Sequence, residues 1–217
     1  DSQALERSRE KLESLGANFT LIESNFRHLK KVLGTAGIKR VDRILFDLGM
    51  NSDQFESGRG FSFQKDEPLV MTFNIRPEEG DTTAYDIVNT WDEATIADIL
   101  YAYGDERFAK RIARVISESR RQKKISTTGA LVSVIASATP LAYQRGKIHF
   151  ATKTFQALRI AVNDELGALK EALSGAFEVL SEGGRMAVIS FHSLEDRIVK
   201  TFFKEKSANN LGILVTK

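Results

Sequence analysis

The sequence predicts a mixed α/β protein, an open parallel sheet interrupted by an all-helical insertion. Three observations carry this. Two apolar, β-branched runs, ILFDLGMNSDQ at 44–54 and GGRMAVISFHSLEDRIVK at 183–200, each break into a polar turn. Helix and strand signals alternate over the first fifty residues with short links, the rhythm of parallel βαβ units. Between 82 and 140, four helical signals follow one another with no strand pattern among them.

The elements follow in order. A helix over 3–15 places Leu5, Leu12 and Leu15 on one face, and Gly16 stops it. Because this helix is already under way at Asp1, the beginning of the domain is expected upstream. NFTLIES at 18–24 reads as a short strand, 26–34 as a helix, and VDRILFDLG at 41–49 as the next strand. From about 55 to 81, turn formers and aromatics without a clean period predict a long ordered loop. DIVN at 86–89 marks the first insertion helix. Thr90 with Glu93 fits a capping box that opens a helix running to Gly104. Asp105 is expected to cap the next, which carries Phe108, Ile112, Val115 and Ile116 on one side. Arg107, Arg111 and Arg114 fall on another side at i, i+4, i+7. Thr127 or Thr128 caps a fourth helix through about 138, before Pro140.

After Gly146 the α/β pattern resumes. Phe155, Leu158, Val162, Leu166, Leu169, Leu173, Phe177 and Leu180 recur in steps of three and four, which predicts one unbroken helix ended by Gly183-Gly184. RMAVISF follows as a buried strand. Ser193 to Asp196 reads as a second capping box and opens a helix with Ile198, Val199 and Phe202. GILVTK at 212–217 reads as a last strand. The expected division is 1–60 as the first, truncated part of the α/β core, 61–146 as loop and helical insertion, and 147–217 as the second part of the core.

Composition bounds the function classes. The chain has 217 residues, 42% apolar and 28% charged, ordinary for a globular protein with one core and a small appendage. No apolar run approaches the roughly 18 residues that a membrane span needs. The polar opening is not a secretory signal, so a cytoplasmic location without a membrane partner is expected. With no cysteine there is neither a disulfide framework nor a thiolate metal site. His28, His149 and His192 show no ligand spacing, and no metal site is expected, although carboxylates could hold a transient Mg²⁺. The net charge of +2 says little about partners. Its distribution says more: Arg107, Lys110, Arg111, Arg114, Arg120, Arg121, Lys123 and Lys124 crowd into one stretch. Such a cluster can attract phosphates, or it can be a solvated helix face.

In an open parallel sheet, ligands gather where strands end and loops begin. Asp47 and Gln54 follow one strand; His192, Ser193 and Glu195 follow another. Asp47 is either a turn former or a carboxylate that accepts hydrogen bonds from an amine. Gln54 can donate and accept, which suits a base edge. Phe26 is either a core aromatic or a ring that stacks on adenine. A neutral His192 at a helix N-terminus could orient a base or phosphate, or simply satisfy the turn. Ser193 reads as a cap, since no G-x-S-x-G turn surrounds it. Arg159 and Asn163 share a face at i, i+4 and either grip phosphate or base or form an exposed edge.

DLGMNSDQ, RGFSF, ATKTFQALRIAVNDEL and GGRMAVISFHSLEDRIVK together closely resemble the RsmH (MraW) family, in order over nearly all of 1–205. The last two motifs are long and specific. The family transfers a methyl group from S-adenosylmethionine to the N4 amine of a cytidine in small-subunit (16S) ribosomal RNA. The resemblance implies a class I, Rossmann-like methyltransferase core with a helical insertion for RNA recognition. It implies S-adenosylmethionine as cofactor, held by Phe26, Asp47 and Gln54, and a catalytic pair of Asp47 and His192. Arg107, Lys110, Arg111, Arg114, Arg159 and Asn163 are the expected RNA contacts. The expected partner is small-subunit ribosomal RNA or a ribosomal particle; a homodimer is left open.

The chain departs from the family in several places. The glycine-rich cofactor loop and the acidic ribose-binding residue are expected before Asp1, and the family continues past Lys217. This polypeptide is therefore expected to hold cofactor poorly unless that part is supplied. Where the family reads PLDMRMD, this chain has Val70, Thr72 and Asn74 in place of two acids and an arginine. His149-Phe150-Ala151 replaces His-Pro-Ala. These departures favour a rival reading, a catalytically impaired RNA-binding or assembly factor on the same fold; intact Asp47, Gln54 and HSLEDR favour the enzyme. A nicotinamide-dependent oxidoreductase lacks its G-x-G-x-x-G here. Cytosine N4 is a weak nucleophile, so the enzyme would have to align it with the methyl and accept its amino hydrogens. Asp47 is the residue expected to do so. The loop 50–63 and the HSLED turn are the expected pocket walls.

Overall fold

The computed structural model describes residues 2–16, 18–74 and 80–216. In chain order the elements are α1 (Ser2–Ser14), a single 3-10 turn (Phe26–His28), α2 (Leu29–Thr35), β1 (Val41–Asp47), α3 (Ser52–Phe55), α4 (Ala84–Thr90), α5 (Glu93–Gly104), α6 (Ala109–Gln122), α7 (Thr128–Ala138), α8 (Leu141–Gln144), α9 (Thr152–Asn163), α10 (Glu165–Val179), β2 (Leu180–Ile189) and α11 (Ser193–Ala208). They group into two units, Asp1–Gly49 with Glu165–Lys217, and Met50–Asp164. No helix among the described residues is long and apolar enough to cross a membrane.

In the first unit, β1 and β2 pair in parallel, from Arg43 opposite Arg185 to Asp47 opposite Ile189. β2 carries extra residues between the partners of Val41 and Arg43, and Gly183 takes up the irregularity at φ +75°, where a side chain would be strained. Alternation along both strands puts Ile44, Phe46, Leu48, Met186 and Val188 into a core with Leu169, Leu173 and Ala176 of α10 and Val199 of α11. The opposite face carries Leu45, 64% exposed, and Ile189. RMAVISF is thus buried on one side only among the described residues. Arg40 donates to the Glu178 carbonyl at 2.6 Å, and Lys30 pairs with the Glu178 carboxylate, tying α2 and its surroundings to the end of α10.

Two expected strands are absent among the described residues. Residues 18–24 and 212–216 carry no ladder bonds, and β1 and β2 are each other's sole strand partner among the described residues. β-branched composition made them candidates, but a strand forms only where a neighbour completes its hydrogen bonds.

The second unit is helical. α4 to α7 and α9 enclose Ile87, Ile96, Leu100, Ile112, Ile116, Leu131, Ile135 and Leu158. The expected long loop is ordered by specific bonds. Thr128 Oγ1 donates to the Lys65 carbonyl at 2.7 Å, the Glu67 carboxylate accepts from Gly60 N–H at 2.9 Å, and Arg59 donates to the carbonyls of Thr72 and Phe73. Val70, Thr72 and Asn74 lie in this ordered segment. Met71 and Thr72 are buried, the Thr72 hydroxyl accepts from Asn74 N–H, and Phe73 stacks on Phe61 at 5.5 Å.

Three expected helix starts are shifted. Thr90 closes α4, its hydroxyl donating to the Asp86 carbonyl. Trp91 is extended, and Asp92 caps α5 by accepting from Thr95 N–H at 2.9 Å. The capping box of this region is Thr83 with Asp86, on α4. Asp105 does not start α6; at φ +49° it closes α5, and the buried Glu106 carboxylate takes Phe108 N–H at 2.9 Å. Ser193 is the first residue of α11, which His192 caps instead.

The apolar stripe from Phe155 to Leu180 is cut in two. Asp164 is left-handed at φ +44°, a conformation Asp tolerates better than most residues. Phe155 and Leu158 of α9 join the helical core, whereas Leu169 and Leu173 of α10 join the sheet core. The two compact units meet after Gly49 and after Asp164.

Candidate active site

Asp47 ends β1 with its side chain exposed, directly opposite Ile189 at the end of β2. Leu48 N–H still donates to the Ile189 carbonyl at 3.1 Å, so the two chains leave the sheet together. Gly49 turns at φ +96°, and a Cβ there would lie 3.0 Å from Cδ2 of Phe191. Glycine is therefore needed twice over, for its backbone and for the ring beside it. Next along the second chain comes His192. The two turns singled out in the sequence thus emerge at one end of one strand pair.

His192 is extended at φ −143° and caps α11, its Nδ1 accepting from Glu195 N–H at 3.4 Å. A ring nitrogen that accepts carries no proton, so the neutral imidazole bears its hydrogen on Nε2. Nε2 lies 3.3 Å from Oε1 of Glu195, and Oε2 of Glu195 accepts from Phe191 N–H at 2.9 Å. Glu195 is 3% exposed, and both its oxygens serve the turn. Ligand atoms of Glu165, His192 and Glu195 fall within 4.8 Å of one another, a grouping that histidine spacing did not reveal.

The other expected site residues divide. Phe26 begins the 3-10 turn, 39% exposed, with its ring edge-on to Phe46 at 6.1 Å. Gln54 belongs to the second unit and closes a capping box: its Oε1 accepts from Asn51 N–H at 3.1 Å and its N–H donates to Asn51 Oδ1 at 2.9 Å. Lys110, Arg111 and Arg114 are exposed on α6, with Arg114 3.9 Å from Glu118. Arg107 is not on that helical stripe. It precedes the cap Phe108, and its guanidinium lies 4.7 Å and 4.8 Å from the ring centres of Phe108 and Tyr143. Tyr143 donates to the buried Glu106 at 2.6 Å, and burial with that carboxylate pushes its hydroxyl pKa far up.

Arg159 is half-buried on α9. Asn163 does not present a free polar edge. It accepts from Phe73 N–H at 2.8 Å and donates to the carbonyls of Met71 and Arg159 at 2.8 Å and 2.9 Å, clamping the loop to α9. Spacing alone could not foresee this, because two of its partners are backbone groups some ninety residues away. Arg120 likewise donates to the Val88 carbonyl at 3.0 Å, so part of the basic cluster is structural.

A family model described as the MraW methylase family matches residues 1–214. The chain is also 49% identical over 208 residues to the ribosomal RNA small subunit methyltransferase H of Brevibacillus brevis, across 95% of this chain and 65% of that protein. It thus spans somewhat under two thirds of the length of that curated relative. A match that runs from the first described helix through both strand-end turns leaves the assignment clear: the chain belongs to the MraW methylase family.

Proposed function

We propose that this protein transfers a methyl group from S-adenosylmethionine to the N4 amine of a cytidine in small-subunit ribosomal RNA, on a Rossmann-like class I core. The observation that carries the reading is the exposed carboxylate of Asp47 at the carboxyl end of β1, beside the turn that His192 and Glu195 lock. The name of the Brevibacillus relative, a small-subunit ribosomal RNA methyltransferase, supports the substrate class.

The residues present fit the cofactor in part. Phe26 offers a partly exposed ring and Asp47 an exposed carboxylate, both in the same unit. These two would hold the adenosine and amine-bearing parts, while Gln54 shapes the turn after Gly49. When bound, S-adenosylmethionine supplies an electrophilic methyl on sulfonium. Asp47 accepts hydrogen bonds from the amino group of cytosine and turns the nitrogen lone pair toward that methyl. As the N–C bond forms and the carbon–sulfur bond of the cofactor breaks to leave a neutral thioether, Asp47 would take the proton that the newly bonded nitrogen sheds and pass it to water. With Nδ1 engaged as the cap of α11, His192 holds the turn beside Asp47.

The exposed cations Lys110, Arg111 and Arg114, with Arg107 fixed on its two rings, form the surface for the RNA backbone. Labelled-methyl transfer by the full-length protein to small-subunit RNA, or to the particle that contains it, tests the reaction; label absent from cytidine N4 refutes it. Reversing Arg111 and Arg114 to Glu is expected to weaken RNA binding and to reduce the slope of log affinity against log salt by about 0.7 for each phosphate no longer neutralised. An unchanged slope would mean that this face is merely solvated.

A further inference from the structure

We infer that Phe191 is the surface on which the target cytosine stacks, a role that deepens the methyl-transfer reading and rests on it. Phe191 is 70% exposed although it lies just past an apolar strand, one residue after Ser190. An isolated exposed aromatic is unremarkable on a protein surface, so its position decides. It belongs to the turn that carries His192 and lies next to Gly49, in the turn that follows Asp47.

The ring is also held in place. Its backbone N–H is fixed by the buried Glu195 carboxylate at 2.9 Å. Any side chain at position 49 would press on it, because a Cβ there lies 3.0 Å from Cδ2 and 3.6 Å from Cε2 and Cγ. A glycine at φ +96° leaves the space the ring occupies, and a buried carboxylate fixes the backbone that bears it.

The chemistry asks for such a ring. A cytidine whose amine is to be methylated must leave its stack, and an extruded base is ordinarily received by an aromatic face. The stretch from Asp47 to Gln54, DLGMNSDQ, contains no aromatic residue, so the carboxylate's own turn cannot supply that face. The neighbouring turn does. Phe191 would sandwich or floor the pyrimidine while Asp47 takes its amino hydrogens, and any base could stack there, leaving Asp47 to select for the exocyclic amine.

The test uses the full-length protein, labelled S-adenosylmethionine and small-subunit ribosomal RNA in its particle. Phe191→Leu keeps apolar bulk and removes the π-face; Phe191→Tyr keeps the face. The leucine variant is expected to lose about ten- to a hundredfold in kcat/KM, the range of one base–aromatic stack. The tyrosine variant is expected to recover most of the rate, and direct titration of S-adenosylmethionine should be alike in all three proteins. A leucine variant with wild-type kcat/KM overturns the assignment, as does a tyrosine variant as slow as leucine. A loss explained by weaker cofactor binding overturns it too, moving Phe191 to the cofactor. Active wild type with an unimpaired leucine variant sinks only the stacking role. An inactive wild type sinks the methyl-transfer reading itself, and this one with it.

Discussion

Replacing Asp47 by alanine in the full-length protein is expected to lower methyl transfer by about a hundred- to a thousandfold, the effect of removing one preorganised polar group aimed at developing charge. The melting temperature should barely move, because the Asp47 side chain is exposed and the neighbouring backbone keeps its ladder through Leu48. Asp47→Asn separates two contributions. The amide retains one acceptor oxygen and the shape, but loses the charge that stabilises a nitrogen shedding its proton. Its rate should therefore fall between the wild type and alanine. Full activity in the alanine variant would end the role assigned to this carboxylate.

Ile116→Ala is expected to have the largest effect on stability, about 2–5 kcal/mol, since it removes a fully buried side chain and leaves a cavity in a core that cannot fully collapse. Urea unfolding read by far-ultraviolet circular dichroism should show the midpoint moving to lower denaturant. The same helix supplies the internal control. Arg111 and Arg114 lie on the exposed side of α6, so reversing their charges should leave the midpoint nearly in place while RNA binding changes. A helix whose two sides respond separately, one in folding and one in binding, is what its amphipathic pattern encodes. An Ile116 variant as stable as the wild type would mean that this core repacks.

Much of the arrangement was legible in residues 41–54 and 183–200, where apolar runs end in polar turns. β1 and β2 lie where those runs predicted, and their exits adjoin. The apolar side of α6, with Ile112 and Ile116, also followed from spacing. What spacing missed was long-range or conformational. The strand signals at 18–24 and 212–216 depended on partners that the local sequence does not specify. Asp105 was ambiguous because aspartate both begins helices and tolerates the left-handed turn that ends them, and the same tolerance at Asp164 broke a stripe whose spacing ran on unbroken. The choice of His192 over Ser193 as cap turned on one residue of register. Glu195 read only as part of a capping box after a strand and proved to be the acceptor that orders the turn, a role that becomes visible only once Phe191 N–H and His192 are in place.

The single left-handed residue at Asp164 has a practical consequence for anyone dissecting this chain into pieces. An uninterrupted amphipathic code is shared by two separate hydrophobic interiors, with the seam hidden inside it. Two cuts, after Gly49 and after Asp164, are needed to leave each interior with its own side chains, because the sheet interior draws on both Phe46 and Leu48 and on Leu169 and Leu173. A cut near 146, where composition suggests a border, strips Phe155 and Leu158 from the helical piece and hands them to a partner that has no place for them.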